Sequence, residues 1–502
     1  MTTAPGALPP PPPRPPARVP RHGLPTAIVV ALVMSAAYGI AQILYWSTPD
    51  VTSPTSLMVL WLKPLPGIFE ATRILLLVGW GVAAVLGLSL ALRRGAPPAD
   101  PEAHARTVRA HQYGILAALT LPYTTMAFHV LFRSLPLLLL CLPTTAAALL
   151  LVHRLQLFRR LPGRLLLAGF GSGALIAAGY GLTMNVWAWW YAPGYLLDWS
   201  TPRDTVRALF AVGCFNSALF TELGKAAVVA ALYFLCRRHF DGVVSGVVLG
   251  AAVGLGFNLT ETVAYMSDYP GALGSAGPEA QLPVEFWTRQ VVGLMAVHVA
   301  FTALVGAGFG AARRLRERRD RALVVGAGVL AAVGGHFWTD IALGQLAKRR
   351  DDWFSDSDAV GLLLGVPLMT ALTSGVFIVL YVLVLRQGLR AQRLGLSRAL
   401  RAEAAEGDGA VTEPEIGLLL APRRRLLLEL RVWRRDGVAG VRHLMRLQQA
   451  QLDLATQRLH RDRSGADIFV PDERPLRDRV LELKGAPMAP EPPALPARGA
   501  LS

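Results

Sequence analysis

The amino-acid sequence predicts an all-α fold, a polytopic transmembrane bundle of about ten spans followed by a helical cytoplasmic tail. Three observations carry this reading. Of 502 residues, 53% are apolar and only 17% are charged, below the roughly 25% charged residues of soluble domains. Apolar windows long enough to cross a bilayer as a helix, about 20 residues each, recur between residues 25 and 385. The net charge of +16 is spread over tails and alternate connections. That distribution forms no compact basic domain, so it excludes nucleic acid as a partner and reports membrane topology instead.

Residues 1–24 are Pro-rich, carry Arg14, Arg18 and Arg21, and have a composition that buries no core, which predicts a disordered tail. The first apolar run, about 25–47, is too long for a signal-peptide core and ends in Tyr-Trp-Ser-Thr without a small-residue cleavage site. It reads as a retained anchor helix. Further spans are expected near 68–92, 113–132, 134–152, 165–188, 208–235, 242–266, 289–311, 322–342 and 361–385. Alternate connections carry Arg93 and Arg94, Arg159 and Arg160, Arg237 and Arg238, and the arginines between Arg313 and Arg321. The positive-inside rule makes these connections and both termini cytoplasmic. Opposite them lie Trp46, Trp189, Trp190, Trp199 and Trp287, which suits an interfacial aromatic belt. One loop dissents: Lys348, Arg349 and Arg350 stand on the far side, followed by Asp351, Asp352, Asp356 and Asp358.

Five regions follow: the tail 1–24, spans one to five in 25–205, spans six to nine in 206–342, a loop and tenth span in 343–385, and a basic, partly helical cytoplasmic tail in 386–502. The arginine-rich helical pattern after residue 422 admits two readings, an anionic-lipid surface or a solvated regulatory tail. The final 20 residues return to Pro and Ala and are expected to be disordered. Cys141, Cys214 and Cys236 are odd in number and scattered in apolar segments, so they read as packing residues without a disulfide framework. Only four of the 50 basic residues are lysine. With abundant Ala, Gly and Pro, this suggests a GC-rich bacterial genome and hence a bacterial plasma membrane.

A charge at mid-bilayer costs about 2.5–3.5 kcal/mol, so each such residue is a functional candidate in need of a partner. Spans six to nine hold nearly all of them. Span six carries Glu222 and Lys225, neighbours on one helix face and able to neutralise each other. Lys225 is the one lysine inside an expected span, a compact ammonium in a chain that otherwise favours arginine. Span seven opens with Gly242, Gly246, Gly250 and Gly254, a smooth face for close helix approach. That face continues through Asn258 to Thr262 and flanks Glu261. Span eight adds His298 with Thr302 one turn on, and span nine His336 with Asp340 in the same relation. At a rise of about 1.5 Å per residue, Glu261, His298 and His336 lie roughly 10–15 Å inside the outer boundary, with Glu222 somewhat deeper. Four such sites on four consecutive spans could converge.

In order along the chain, Thr221-Glu222-x-x-Lys225, Phe257-x-x-x-Glu261-Thr262-x-x-Tyr265, His298-x-x-x-Thr302 and His336-x-x-x-Asp340 resemble the motifs of the PrsW family of glutamic-type intramembrane proteases. That family is related to the CAAX-prenyl and bacteriocin-processing proteases. The resemblance covers about residues 206–342. Three positions depart from it: Thr221 replaces a Glu, Thr262 an Asn and Asp340 an Asn. The resemblance implies a peptide hydrolase acting on a single-pass membrane protein, such as an anti-sigma factor.

Peptide hydrolysis needs an activated water, oxyanion stabilisation and an acid for the leaving amine. Glu222 or Glu261 is the candidate base. His298 and His336 are candidates for oxyanion and acid support, with Thr302 and Asp340 orienting their rings. Phe257, Tyr265 and Lys225 are the supporting residues. The same Glu222, Glu261, His298 and His336 suit a divalent metal such as zinc, and the pattern equally allows a metal-free site. No His-Glu-x-x-His zinc helix is present. Nor is there a Gly-x-Ser-Gly or Gly-x-Gly-Asp motif, because residues 169–173 read Gly-Phe-Gly-Ser-Gly. Two other readings compete: a proton-coupled transporter in which the same residues relay protons, and a catalytically inactive scaffold that lacks the acid at Thr221.

Overall fold

The computed structural model describes residues 23–46, 66–93, 100–190, 202–268, 278–353, 358–406, 408–464 and 473–485. The segments expected to be disordered at the two termini lie outside these ranges or almost wholly so, as does Trp199. Among the described residues every regular element is helical, because a lipid-embedded backbone must satisfy its own hydrogen bonds.

The chain enters through α1 (Leu24–Trp46), α2 (Pro66–Leu92) and α3 (Pro101–Thr120), and a 3-10 turn at Leu121–Tyr123 leads into α4 (Thr124–Arg133). Next come α5 (Leu135–Arg154), α6 (Gly163–Ser172), a π-helical turn at Gly173–Ala177, α7 (Ala178–Trp190) and α8 (Pro202–Leu235). Then follow α9 (Val243–Asp268), α10 (Pro278–Phe286), a second π-helical turn at Trp287–Val292, α11 (Val297–Ala312) and α12 (Arg318–Trp353). A third π-helical turn at Gly361–Gly365 opens α13 (Val366–Glu406).

Among the described residues, ten segments are long and apolar enough to cross a membrane, from Leu24–Ala41 to Gly361–Glu406. Several helices exceed their hydropathy windows, and α13 runs on to Glu406 past the expected end near 385. Helix α3 starts at Pro101 rather than near 113, because Asp100 caps it by accepting from the amides of Glu102 and Ala103 and Pro101 takes the first turn; both residues favour a helix start. Helix α12 continues through Lys348, Arg349 and Arg350 to Trp353, where a loop was expected.

Helix α9 is the hub of the first compact unit, Gly23–Gly395. It packs against α5, α6 and the first π turn, and most extensively against α11. Its residues are buried on nearly every side, while α2 turns Ile74, Leu75, Leu77 and Val78 outward. Lipid tails are as apolar as leucine, so helices in a bilayer associate by close fit rather than by hiding apolar surface. Glycine supplies the fit here. A Cβ at Gly246 would lie 2.0 Å from the carbonyl oxygen of Gly306, and one at Gly250 would lie 2.2 Å from that of Thr302. Gly242, the first of the expected stripe, stands just before α9 with φ +152°, a backbone region that suits glycine. At this end Ser245 Oγ accepts the amide of Asp241 at 2.9 Å, and Asp241 pairs with Arg159.

A second compact unit begins at Leu396. It contains α14 (Glu413–Leu419), α15 (Pro422–Ser464) and α16 (Arg474–Gly485). Leu447, Ala450, Leu454, Val480 and Ala410 form its core. Glu403 is clamped by Arg477 (Nε at 2.7 Å, Nη2 at 3.0 Å) and by Arg458 Nη1 at 2.9 Å. Thr412 and Glu415 form a capping box at the start of α14. Gly437, with φ +66°, breaks α15 into two helical stretches.

Candidate active site

The close contact of α9 with α11 sets the site. A Cβ at Gly254 would lie 2.6 Å from the carbonyl oxygen of His298. The absence of that carbon brings the start of α11 against α9, two turns before Glu261. His298 Nε2 lies 2.5 Å from Glu261 Oε2. On its other edge, His298 Nδ1 is 3.1 Å from Lys225 Nζ on α8. An ammonium has only donors, so Nδ1 accepts and the ring proton sits on Nε2, facing Glu261.

Lys225 also donates to Glu222 Oε1 at 2.5 Å. His336 on α12 reaches the same oxygen through Nδ1 at 2.8 Å, and its Nε2 is 3.7 Å from Asp340 Oδ2. Glu222 and Lys225 are fully buried, and His298 and His336 nearly so. The side chain of Asp340 is 30% exposed, making it the most open of the set. Four spans therefore contribute to one hydrogen-bonded chain running Glu261, His298, Lys225, Glu222 and His336, with Asp340 beside its end as an ion-pair neighbour.

Aromatic rings wall this chain. Phe257 packs against His298 with centroids 5.0 Å apart, and Lys225 Nζ stands 4.6 Å over the Phe257 ring. Phe301 stacks on His336 at 6.0 Å. Thr302 behaves differently from the expectation that it orients the imidazole. Its hydroxyl donates to the His298 backbone carbonyl at 2.7 Å, because a threonine inside a helix finds the carbonyl four residues back. The ring is held by Lys225 and Glu261. Tyr265 reaches the cluster through an intermediary: its ring carries the guanidinium of Arg289, a partner of Glu261, 3.7 Å from the centroid.

Arg289 and Glu285 were not among the expected site residues. Arg289 Nη1 donates to Glu261 Oε2 at 3.1 Å and its Nε to Glu285 Oε2 at 2.9 Å. It lies in the second π turn, whose widened backbone is held by Asn258 Nδ2 on the Arg289 carbonyl at 3.5 Å. The available signal was Glu285 four residues before Arg289, an ion-pair spacing at the start of an apolar window.

Each of Glu222, His298 and His336 offers a ligand atom, and these atoms lie within 4.8 Å of one another. Glu261 stands one step back, behind His298. Among the described residues, Glu222 Oε2 is buried with no hydrogen-bond partner, which leaves an acceptor costly to keep unpaired. Thr221, the expected departure from an acid, accepts from Asn185 Nδ2 at 3.3 Å.

Fold and centre together define a polytopic membrane protein with a buried cluster of glutamates and histidines. Residues 161–390 match the family described as PrsW family intramembrane metalloprotease. The match covers a little under half of the chain, and it supports an intramembrane peptide hydrolase. The match is wider than the 206–342 expected from motifs, taking in the fifth span and most of the tenth. No curated protein and no solved structure matches the chain.

Proposed function

We propose that the protein cuts a single-pass membrane protein at the centre built by Glu222, His298 and His336, with Lys225, Glu261 and Asp340 supporting them. The observation that carries this reading is the convergence of three ligand-type side chains from three spans within 4.8 Å.

The donor set fits a divalent ion such as zinc once Lys225 Nζ, 3.1 Å from His298 Nδ1, turns away from that lone pair. One glutamate and two histidines make the three-ligand arrangement of catalytic zinc sites. Each histidine has a carboxylate beside it, Glu261 for His298 and Asp340 for His336, the outer partnership that orients metal-binding imidazoles. The unpartnered Glu222 Oε2 is an acceptor that a cation would satisfy. When bound, the ion supplies Lewis-acid activation of water and of the scissile carbonyl.

The remaining work falls to the chain itself. Lys225 neutralises Glu222 and braces His298. Glu261 holds the His298 tautomer, and Arg289 holds Glu261. With no ion bound, Glu222 Oε2 is the free acceptor that takes the proton of the attacking water. His336, bonded to Glu222 and flanked by the more open Asp340, carries that proton to the leaving amine. The arginine-rich connections orient both termini to the cytoplasm, so the cut lies toward the outer half of the bilayer.

The test is cleavage of a model transmembrane substrate by the reconstituted protein. Glu222→Gln and His298→Ala are expected to lower the rate at least about 100-fold, and chelation to abolish it, with zinc restoring it. Full cleavage by Glu222→Gln would overturn the assignment. Substrate capture without product, unchanged in Thr221→Glu, would identify a scaffold, and substrate-dependent ion flux a transporter.

A further inference from the structure

The first stretch of α15, up to the break at Gly437, is amphipathic in the reverse sense to a water-facing helix. Arg425 and Glu429, one turn apart, are buried at 6% and 8% exposure, and Arg425 Nε donates to Gln448 Oε1 at 3.2 Å. Leu426, Leu427, Leu430 and Trp433 face outward, between 42% and 56% exposed. Their positions repeat at helical spacing and form one stripe. Leaving such side chains in water forgoes the gain of burying them, and burying charge adds a cost.

Arginines accompany the stripe. Arg424 and Arg431 run along one flank, Arg423 and Arg434 lie near its two ends, and all four are exposed. The two acids of the stretch do not offset them on that face: Glu429 is buried and Asp436 is paired with Arg435. The outward surface is thus apolar and cationic at once. An anionic lipid leaflet complements both properties, with hydrocarbon for leucine and tryptophan and phosphate for arginine. Continuity of the chain favours this occupant, because α15 begins at Pro422, shortly after the candidate span that ends at Glu406.

We propose that residues 422–436 form an interfacial anchor that docks the face of Leu426, Leu427, Leu430 and Trp433 into an anionic leaflet. This holds whether or not the catalytic assignment above is correct. The test places a photoreactive phenylalanine at Leu427 in the full-length protein, reconstituted in vesicles of phosphatidylglycerol with phosphatidylcholine, and reads intact mass after irradiation. The expected product is an adduct with one phospholipid. Its yield should fall at least about tenfold in vesicles of phosphatidylcholine alone, and similarly in the variant R423Q/R424Q/R431Q/R434Q, since each basic residue near such a surface contributes about 1 kcal/mol. A covalent dimer in place of the lipid adduct would assign the face to a second copy. That result, the absence of any adduct, or equal yields in both vesicle types would overturn the proposal.

Discussion

Arg289 touches three partners at once: Glu261, Glu285 and the face of Tyr265. Through Glu261 it acts on His298 without touching it, so it is a positioning residue. Arg289→Gln should lower cleavage roughly 10- to 100-fold, the usual cost of losing an outer partner, while Arg289→Lys should recover part of the loss. Equal loss in both variants, tracking loss of thermal stability, would indicate a merely structural role. Glu222, Lys225, Glu261, His298, His336 and Asp340 were legible in the sequence because a charged side chain inside an apolar window is expensive and therefore conspicuous. Arg289 was not, since it stands at the first position of its expected window, where an arginine reads as a boundary. The Thr302 hydroxyl was legible as polar but not in its direction, which depends on whether a ring or a carbonyl lies nearer.

At the level of elements, the contact of α9 with α11 is held by backbone approaching backbone. Gly250→Ala would put a carbon 2.2 Å from the Thr302 carbonyl oxygen. Backbone cannot swing aside, so the helices must part, at a cost of about 1–3 kcal/mol. Thermal unfolding in detergent should show that loss, together with reduced cleavage as His298 moves from Glu261. Gly375→Ala in α13 is the control. Among the described residues nothing lies within 4 Å of its added carbon, so stability should hold or rise by up to about 1 kcal/mol. Hydropathy foresaw all ten crossing segments, because bilayer thickness fixes their length. It did not foresee the π turns at Gly173–Ala177, Trp287–Val292 and Gly361–Gly365. Those are changes of hydrogen-bond register, to which residue polarity is blind.

For the molecule as a whole, the two compact units answer to different physics. The unit beginning at Leu396 depends on ion pairs outside the apolar windows. Within it, burial raises the Glu415 carboxyl, but Lys484 and the Thr412 amide outweigh that and hold it below the ordinary carboxylate range. Such a group contributes stability above its unfolded value of about 4.3, and the contribution disappears as pH falls through the lower folded value. Amide exchange in residues 412–420 of the full-length protein should therefore quicken below about pH 4.3, and Lys484→Met should flatten that dependence. The partly helical nature of this region was legible from its composition, whereas its own compact core was not, because that core joins segments far apart in the chain. The proposed hydrolytic centre has a different dependence on the chain. Its residues lie on α8, α9, α11 and α12, which enter the membrane one after another during synthesis. Helices insert singly and dock afterwards, so Glu222 and His298 cannot meet His336 until the ninth span has left the translocon. On the proposed assignment, a nascent chain therefore lacks a complete centre until those four helices have docked.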